Sequence, residues 1–164
     1  MTVSTSGLVP QIRKLASQPL QVRLAISFHG ATDEVRNTIM PVNKKYPVEE
    51  LLAACEDYVR IKKQRITFEY ILIRDVNDSL EQARLLAKQA RRVGAKVNLI
   101  PYNVVDGLPW IRPEEDSQDA FLVVLRQAGA EATLRREKGH DIAAACGQLR
   151  LQVEKSVAEK PFLN

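Results

Sequence analysis

Cysteine, histidine and long hydrophobic runs are all scarce in this chain, and each scarcity excludes something. Cys55 and Cys146 are the only two cysteines in 164 residues. Far apart in sequence, they do not suggest a disulfide framework, which agrees with a reducing compartment. The two histidines, His29 and His140, show neither HExxH nor Cys-pair metal spacing. No apolar run approaches the roughly 18 residues that a membrane span needs, so an integral membrane protein is not expected. The N-terminus "MTVSTSGLVP" has no charged region followed by a hydrophobic signal stretch, and a cytoplasmic chain is expected. A GxGxxG dinucleotide loop, a P-loop and a GxSxG elbow are also missing.

What remains is the composition of an ordinary globular protein. Its length allows one domain that buries about 70% of its unfolded surface. The net charge of +4 permits a polyanionic partner without requiring one.

Strand and helix patterns alternate along the chain. "VRLAISFH" (Val22 to His29), "ITFEYILI" (Ile66 to Ile73) and "KVNLIPYN" (Lys96 to Asn103) are short, rich in β-branched and aromatic residues, and bounded by turn formers, as strands are. A helix is predicted from Pro47, at the first helical position, to Lys63. Another opens on Asp78 or Ser79 and closes on Gly94, and a third runs from Glu114 to Gln127 and ends at Gly129. This rhythm predicts βα units and a parallel sheet.

The strands also alternate by face. Val22, Leu24, Ile26 and Phe28 oppose Arg23, Ala25 and Ser27; Phe68, Tyr70 and Leu72 oppose Thr67 and Glu69; Val97 and Leu99 oppose Asn98. Doubly wound sheets, covered on both faces, read instead as continuous apolar runs. The pattern therefore favours part of a barrel with a polar lumen, and a sheet with one wet face is the alternative. Three strands, with a fourth ending at "TVS", cannot close a barrel.

In βα barrels the site lies at the carboxyl ends of the strands. Ser4 to Gly7, Ser27 to His29, and Tyr102 with Asn103 would share that rim. Their Ser, Asn and Gly suit a polar small molecule, and equally suit turn and capping chemistry. Glu69 would face the lumen, as an acid or base or as a carboxylate that positions a neighbouring loop. Cys55, within a helix, reads as a small buried hydrophobe. Cys146 follows Arg135, Arg136, Lys138 and His140 and precedes Arg150, and positive charge of this kind favours the thiolate.

"DIAAACGQLR" resembles the C-terminal motif of the radical-SAM adenosine C2 methyltransferases, the RlmN/Cfr family. "VSTSGLVPQIRKLA", "LAISFHGATDEVRNTIMPVNKKYP", "ITFEYILIRDVND" and "VNLIPYNVV" resemble successive segments of the same family, in order and at similar spacing, up to about Leu151. The resemblance implies an α/β fold made of the later βα units of a partial (β/α) radical-SAM barrel, incomplete as given, within a single domain over residues 1–164. It implies that Cys146 accepts a methyl group from S-adenosylmethionine and delivers the carbon to C2 of an adenine. It further implies that Ser4, Ser27, Phe28, His29 and Asn103 contact S-adenosylmethionine. The substrates would be 23S rRNA and, in bacterial members, tRNA, with a flavodoxin-like reductant serving the whole enzyme. The basic run Leu134 to His140 would suit phosphate contacts, or be a solvated turn.

The sequence also departs from the family. It has no CxxxCxxC motif for a 4Fe-4S cluster, no Gly-Glu motif for the methionine amine and no second, resolving cysteine. His140 stands where Asp is usual, and Ala143 where an acidic or polar residue is common. The isolated chain is accordingly expected to be inactive, and to be poorly stable or to associate with itself through an open parallel edge. Two other readings stay open. One is a non-catalytic RNA- or nucleotide-binding module. The other is an unrelated βα-barrel enzyme acting on a phosphorylated metabolite, for which "PYNVVDGLPW" offers only Gly107.

Overall fold

Five parallel strands lie side by side in chain order, β1-β2-β3-β4-β5, in a computed structural model that describes residues 1–136. The strands are β1 (Thr2–Thr5), β2 (Arg23–Ser27), β3 (Thr67–Leu72), β4 (Lys96–Pro101) and β5 (Ala132–Leu134). Between them run α1 (Val9–Ser17), α2 (Asp33–Ile39), a 3₁₀ turn (Pro41–Lys44), α3 (Val48–Lys62), α4 (Leu80–Val93) and α5 (Glu115–Gln127).

The alternation read from the strands is the one observed. Leu24, Ile26 and Phe28, Phe68, Tyr70 and Leu72, and Val97 and Leu99 are buried in one apolar cluster. Val9, Ile12 and Ala16 of α1, Leu51, Leu52 and Cys55 of α3, Leu86 and Ala90 of α4, and Phe121 and Leu125 of α5 join the same cluster. All of the long helices thus cover one face of the sheet. Phe28 and Phe68 stack at 4.5 Å between ring centroids, and each fully buried ring is worth about 2–3 kcal/mol. The other face carries Ser4, Ser27, Glu69, Asn98 and Thr133, most of them half-buried or exposed; Ala25, also on this face, is buried.

Several boundaries differ from the sequence reading for local reasons. β2 stops at Ser27 because His29 takes a left-handed φ of 57°. β3 stops at Leu72 because the Ile73 amide donates instead to Asn77 Oδ1 at 2.7 Å. β4 stops at Pro101, and its next residue, Tyr102, donates its amide to Leu72 at 3.0 Å. Pro47 is not the first helical residue but the N-cap of α3. Ser79 caps α4 by accepting from the Gln82 amide, and Gly94 closes that helix in the left-handed conformation.

The fifth strand corrects the count of three or four. Its three residues are too short to show alternation, and it forms by pairing with β4. The helices α1 and α2, not predicted from the sequence, are short amphipathic or capped segments that follow the first two rim stretches.

Candidate functional site

Parallel strands end at one edge, and their register brings polar side chains into a row there. Ser27 pairs with Glu69, Glu69 with Asn98, and Asn98 with Thr133. Residues paired across a parallel sheet share a face, so this row crosses four strands on the side away from the helices. Asn98 Nδ2 donates to Glu69 Oε2 at 2.7 Å, and Asn98 Oδ1 accepts from the Thr133 hydroxyl at 3.4 Å. Ser4 pairs with Ala25, one pleat below Ser27 on the same face, and is exposed. Asn103 follows β4 at the same edge, where its Oδ1 accepts from Arg112 at 3.2 Å.

His29 sits in the tight turn after β2. The Ile71 amide donates to its Nδ1 at 3.1 Å, so the neutral ring carries its proton on Nε2. Burial pushes its pKa down to about 4; the positive charge of Arg36 adds to this, and the Glu69 carbonyl opposes it. The ring is therefore neutral at physiological pH. A left-handed backbone at a non-glycine residue costs about 1–3 kcal/mol and persists only where its surroundings hold it. The surroundings here are specific. Asn77 Nδ2 donates to the His29 carbonyl at 2.8 Å, Gln82 Oε1 accepts the Ala31 amide at 2.9 Å, and Gln89 Nε2 donates to the Ala31 carbonyl at 2.7 Å.

Phe28 contributes differently from its neighbours. Its ring points into the helix-covered core, so only its backbone lies at the rim. That backbone is held by Arg36, which the sequence reading passed over. Arg36 is fully buried in α2, the helix that follows β2. It donates from Nε to the Phe28 carbonyl at 2.9 Å and from Nη1 to Asn43 Oδ1 at 2.8 Å; from Nη2 it donates to Ser6 at 2.7 Å and Ser27 at 3.2 Å. One guanidinium therefore ties the carboxyl ends of β1 and β2 together. Two glycines leave room for it. A Cβ on Gly30 would lie 2.7 Å from the Arg36 backbone nitrogen, and one on Gly7 would lie 2.9 Å from Nη2. The sequence signal was present, in glycines just after two successive strands and an arginine in the helix that follows.

Cys146 lies outside the described residues. So does most of the basic run, although Arg136 is paired with Asp119 at 2.6 Å. Cys55 is buried in the core, and its thiol is pushed up to about 12 by that burial. Among the described residues no group of three or more His, Cys, Asp or Glu side chains could hold a metal, so they do not fit an iron-sulfur cluster. The open face does fit a polar organic ligand, with a carboxylate, a carboxamide and hydroxyls in one row beside half-buried Ile71 and Ile100. No described helix is long and apolar enough to cross a membrane.

No family model matches the chain. It is 56% identical over 160 residues to a probable dual-specificity RNA methyltransferase RlmN of Akkermansia muciniphila, covering 98% of this chain and 45% of that protein. It is 59% identical over 155 residues to a similarly named protein of Opitutus terrae, covering 94% of this chain and 41% of that one. A radical SAM methyltransferase of known structure from Sphaerobacter thermophilus is 48% identical and superposes with a TM-score of 0.84, covering 90% of this chain and 43% of that one. A domain of a pyruvate-formate lyase-activating enzyme from Bacteroides vulgatus, 21% identical with a TM-score of 0.64, shares the fold. The chain spans less than half the length of the curated relatives it matches. Over nearly its whole length the chain is similar to part of the RlmN RNA methyltransferases and to the matching part of a radical SAM methyltransferase.

Proposed function

We propose that this chain forms the S-adenosylmethionine-binding side of an enzyme that methylates C2 of adenosine in 23S rRNA and tRNA. The observation that carries the reading is the polar row on the sheet face away from the described helices, with Ser4, Ser27, His29 and Asn103 gathered at the carboxyl ends of the strands. S-adenosylmethionine supplies the methyl carbon and, when cleaved at a cluster, the radical that activates it. The residues of this chain bind and orient that molecule. Ser27 offers a hydroxyl beside the Glu69 carboxylate, the neutral His29 ring offers a donor at Nε2, and Asn103 offers its carboxamide. Phe28 contributes backbone shape. Cys146 carries the methyl group, and its approach from Arg135 to His140 favours the thiolate and meets RNA phosphate.

The cluster ligands and the docking of a flavodoxin-like reductant belong to parts of the enzyme outside this sequence, which is why the chain alone is expected to be inactive. The test joins this sequence to the cluster-binding region of an RlmN relative and measures C2-methyladenosine in a 23S rRNA fragment by mass spectrometry. Methylation that disappears in Cys146→Ala supports the reading, and full methylation by that variant refutes it. C2-methyladenosine formed by the 164-residue chain alone, given reductant and S-adenosylmethionine, would refute the expectation of inactivity. Salt-sensitive RNA binding without methylation by the joined protein would favour the non-catalytic module instead.

A further inference from the structure

Glu69 is the only acidic residue in the described strands, and it lies on the open face. Its Oε2 is taken by Asn98, whose own carbonyl oxygen is fixed by Thr133. Its Oε1 accepts no hydrogen bond from a described residue, and no described Lys or Arg pairs with it. The nearest basic strand residue on that face, Lys96, sits one pleat away and is committed to Glu131 at 2.6 Å. Among the described residues the carboxylate of half-buried Glu69 has no counter-ion, directly beside Ser27 in the sheet register. The next pleat toward the rim is aliphatic, with Ile71 paired to Ile100 and both half-buried. A carboxylate bordered by aliphatic side chains suits an alkyl-substituted, weakly hydrated cation better than an ammonium ion, whose lost hydration it could not replace.

We infer that Glu69 is the anionic contact for the sulfonium centre of S-adenosylmethionine, and so selects the sulfonium over its neutral thioether product. The inference rests on the S-adenosylmethionine reading of this face. If Glu69 only braced Asn98, glutamine would serve as well, because its carbonyl oxygen also accepts from Asn98 Nδ2. Glutamine differs in lacking the charge.

The experiment measures binding of S-adenosylmethionine and of S-adenosylhomocysteine by calorimetry to this sequence joined to the cluster-binding region of an RlmN relative, for wild type, E69Q and E69D. Wild type should prefer the sulfonium by at least about tenfold, as expected for opposite charges within a few ångströms at a half-buried site. E69Q should bring the two ligands within about twofold of each other by weakening only the sulfonium, while E69D keeps most of the preference. An E69Q variant that retains the preference, or weakens both ligands equally, overturns the inference. So does a wild type that binds the two ligands equally, a comparison that stands even if a variant does not fold. A wild type that binds neither ligand refutes the S-adenosylmethionine reading itself, a separate outcome.

Discussion

Replacing Arg36 by methionine tests whether one guanidinium organises the rim. Methionine roughly fills the aliphatic stem but donates nothing. The substitution orphans the acceptors at Ser6 and Asn43 and removes one of the donors to the Phe28 carbonyl, which also accepts from Gly30. An orphaned buried acceptor costs about 1–3 kcal/mol, and the relief of an expensive buried charge offsets part of the sum. A net loss of about 3 kcal/mol is expected. For a chain of this size that is a fall in Tm of about 6–12 °C. Urea titration followed by circular dichroism gives the free energy, and an unchanged m-value confirms that the native state is the one affected. A double-mutant cycle with Asn43→Ala isolates the contact between the two side chains, which should couple by about 1–2 kcal/mol. A loss below about 1 kcal/mol for Arg36→Met, or strict additivity in the cycle, would show that the carbonyls find other partners and that Arg36 does not hold the strand ends.

Gly30→Ala should destabilise by about 1–3 kcal/mol, since its Cβ meets backbone that cannot swing aside; stability equal to wild type in the same titration would contradict the close approach. Acid should unfold the chain partly through His29. Its folded pKa of about 4 lies below the ordinary value of 6.5, so the unfolded state binds the extra proton, and stability is lost as pH falls from about 6.5 toward 4. The loss approaches about 3 kcal/mol, and His29→Gln should flatten that part of the pH profile; a profile unchanged in the variant would refute the assignment. Cys55, its thiol pushed up to about 12, should resist thiol reagents at pH 8 until the chain unfolds, which mass mapping of labelled peptides can check. The chain should associate through the edges of β1 and β5, which pair with no further described strand, and sedimentation of a strict monomer at tens of micromolar would count against this.

The sequence by itself determined the alternation of β2, β3 and β4 with α3, α4 and α5, the apolar face of those strands, and the rim stretches at the ends of β1, β2 and β4. Those properties follow from side-chain periodicity and turn chemistry, which act over a few residues. It did not determine β5, whose three residues become a strand only against β4. Side-chain alternation already set Phe28 on the apolar face opposite Ser27, whereas the resemblance grouped it with Ser27 and His29 as a ligand contact; the packed core leaves only its backbone at the rim. Arg36 and Asn77 were hidden for a related reason. Their partners lie across the rim, some 30 residues away at Ser6 and 48 away at His29. Glu69 was legible as a residue that faces away from the core. Its partnership with Asn98, and the absence of a counter-ion among the described residues, follow from strand register, which the tertiary structure alone decides.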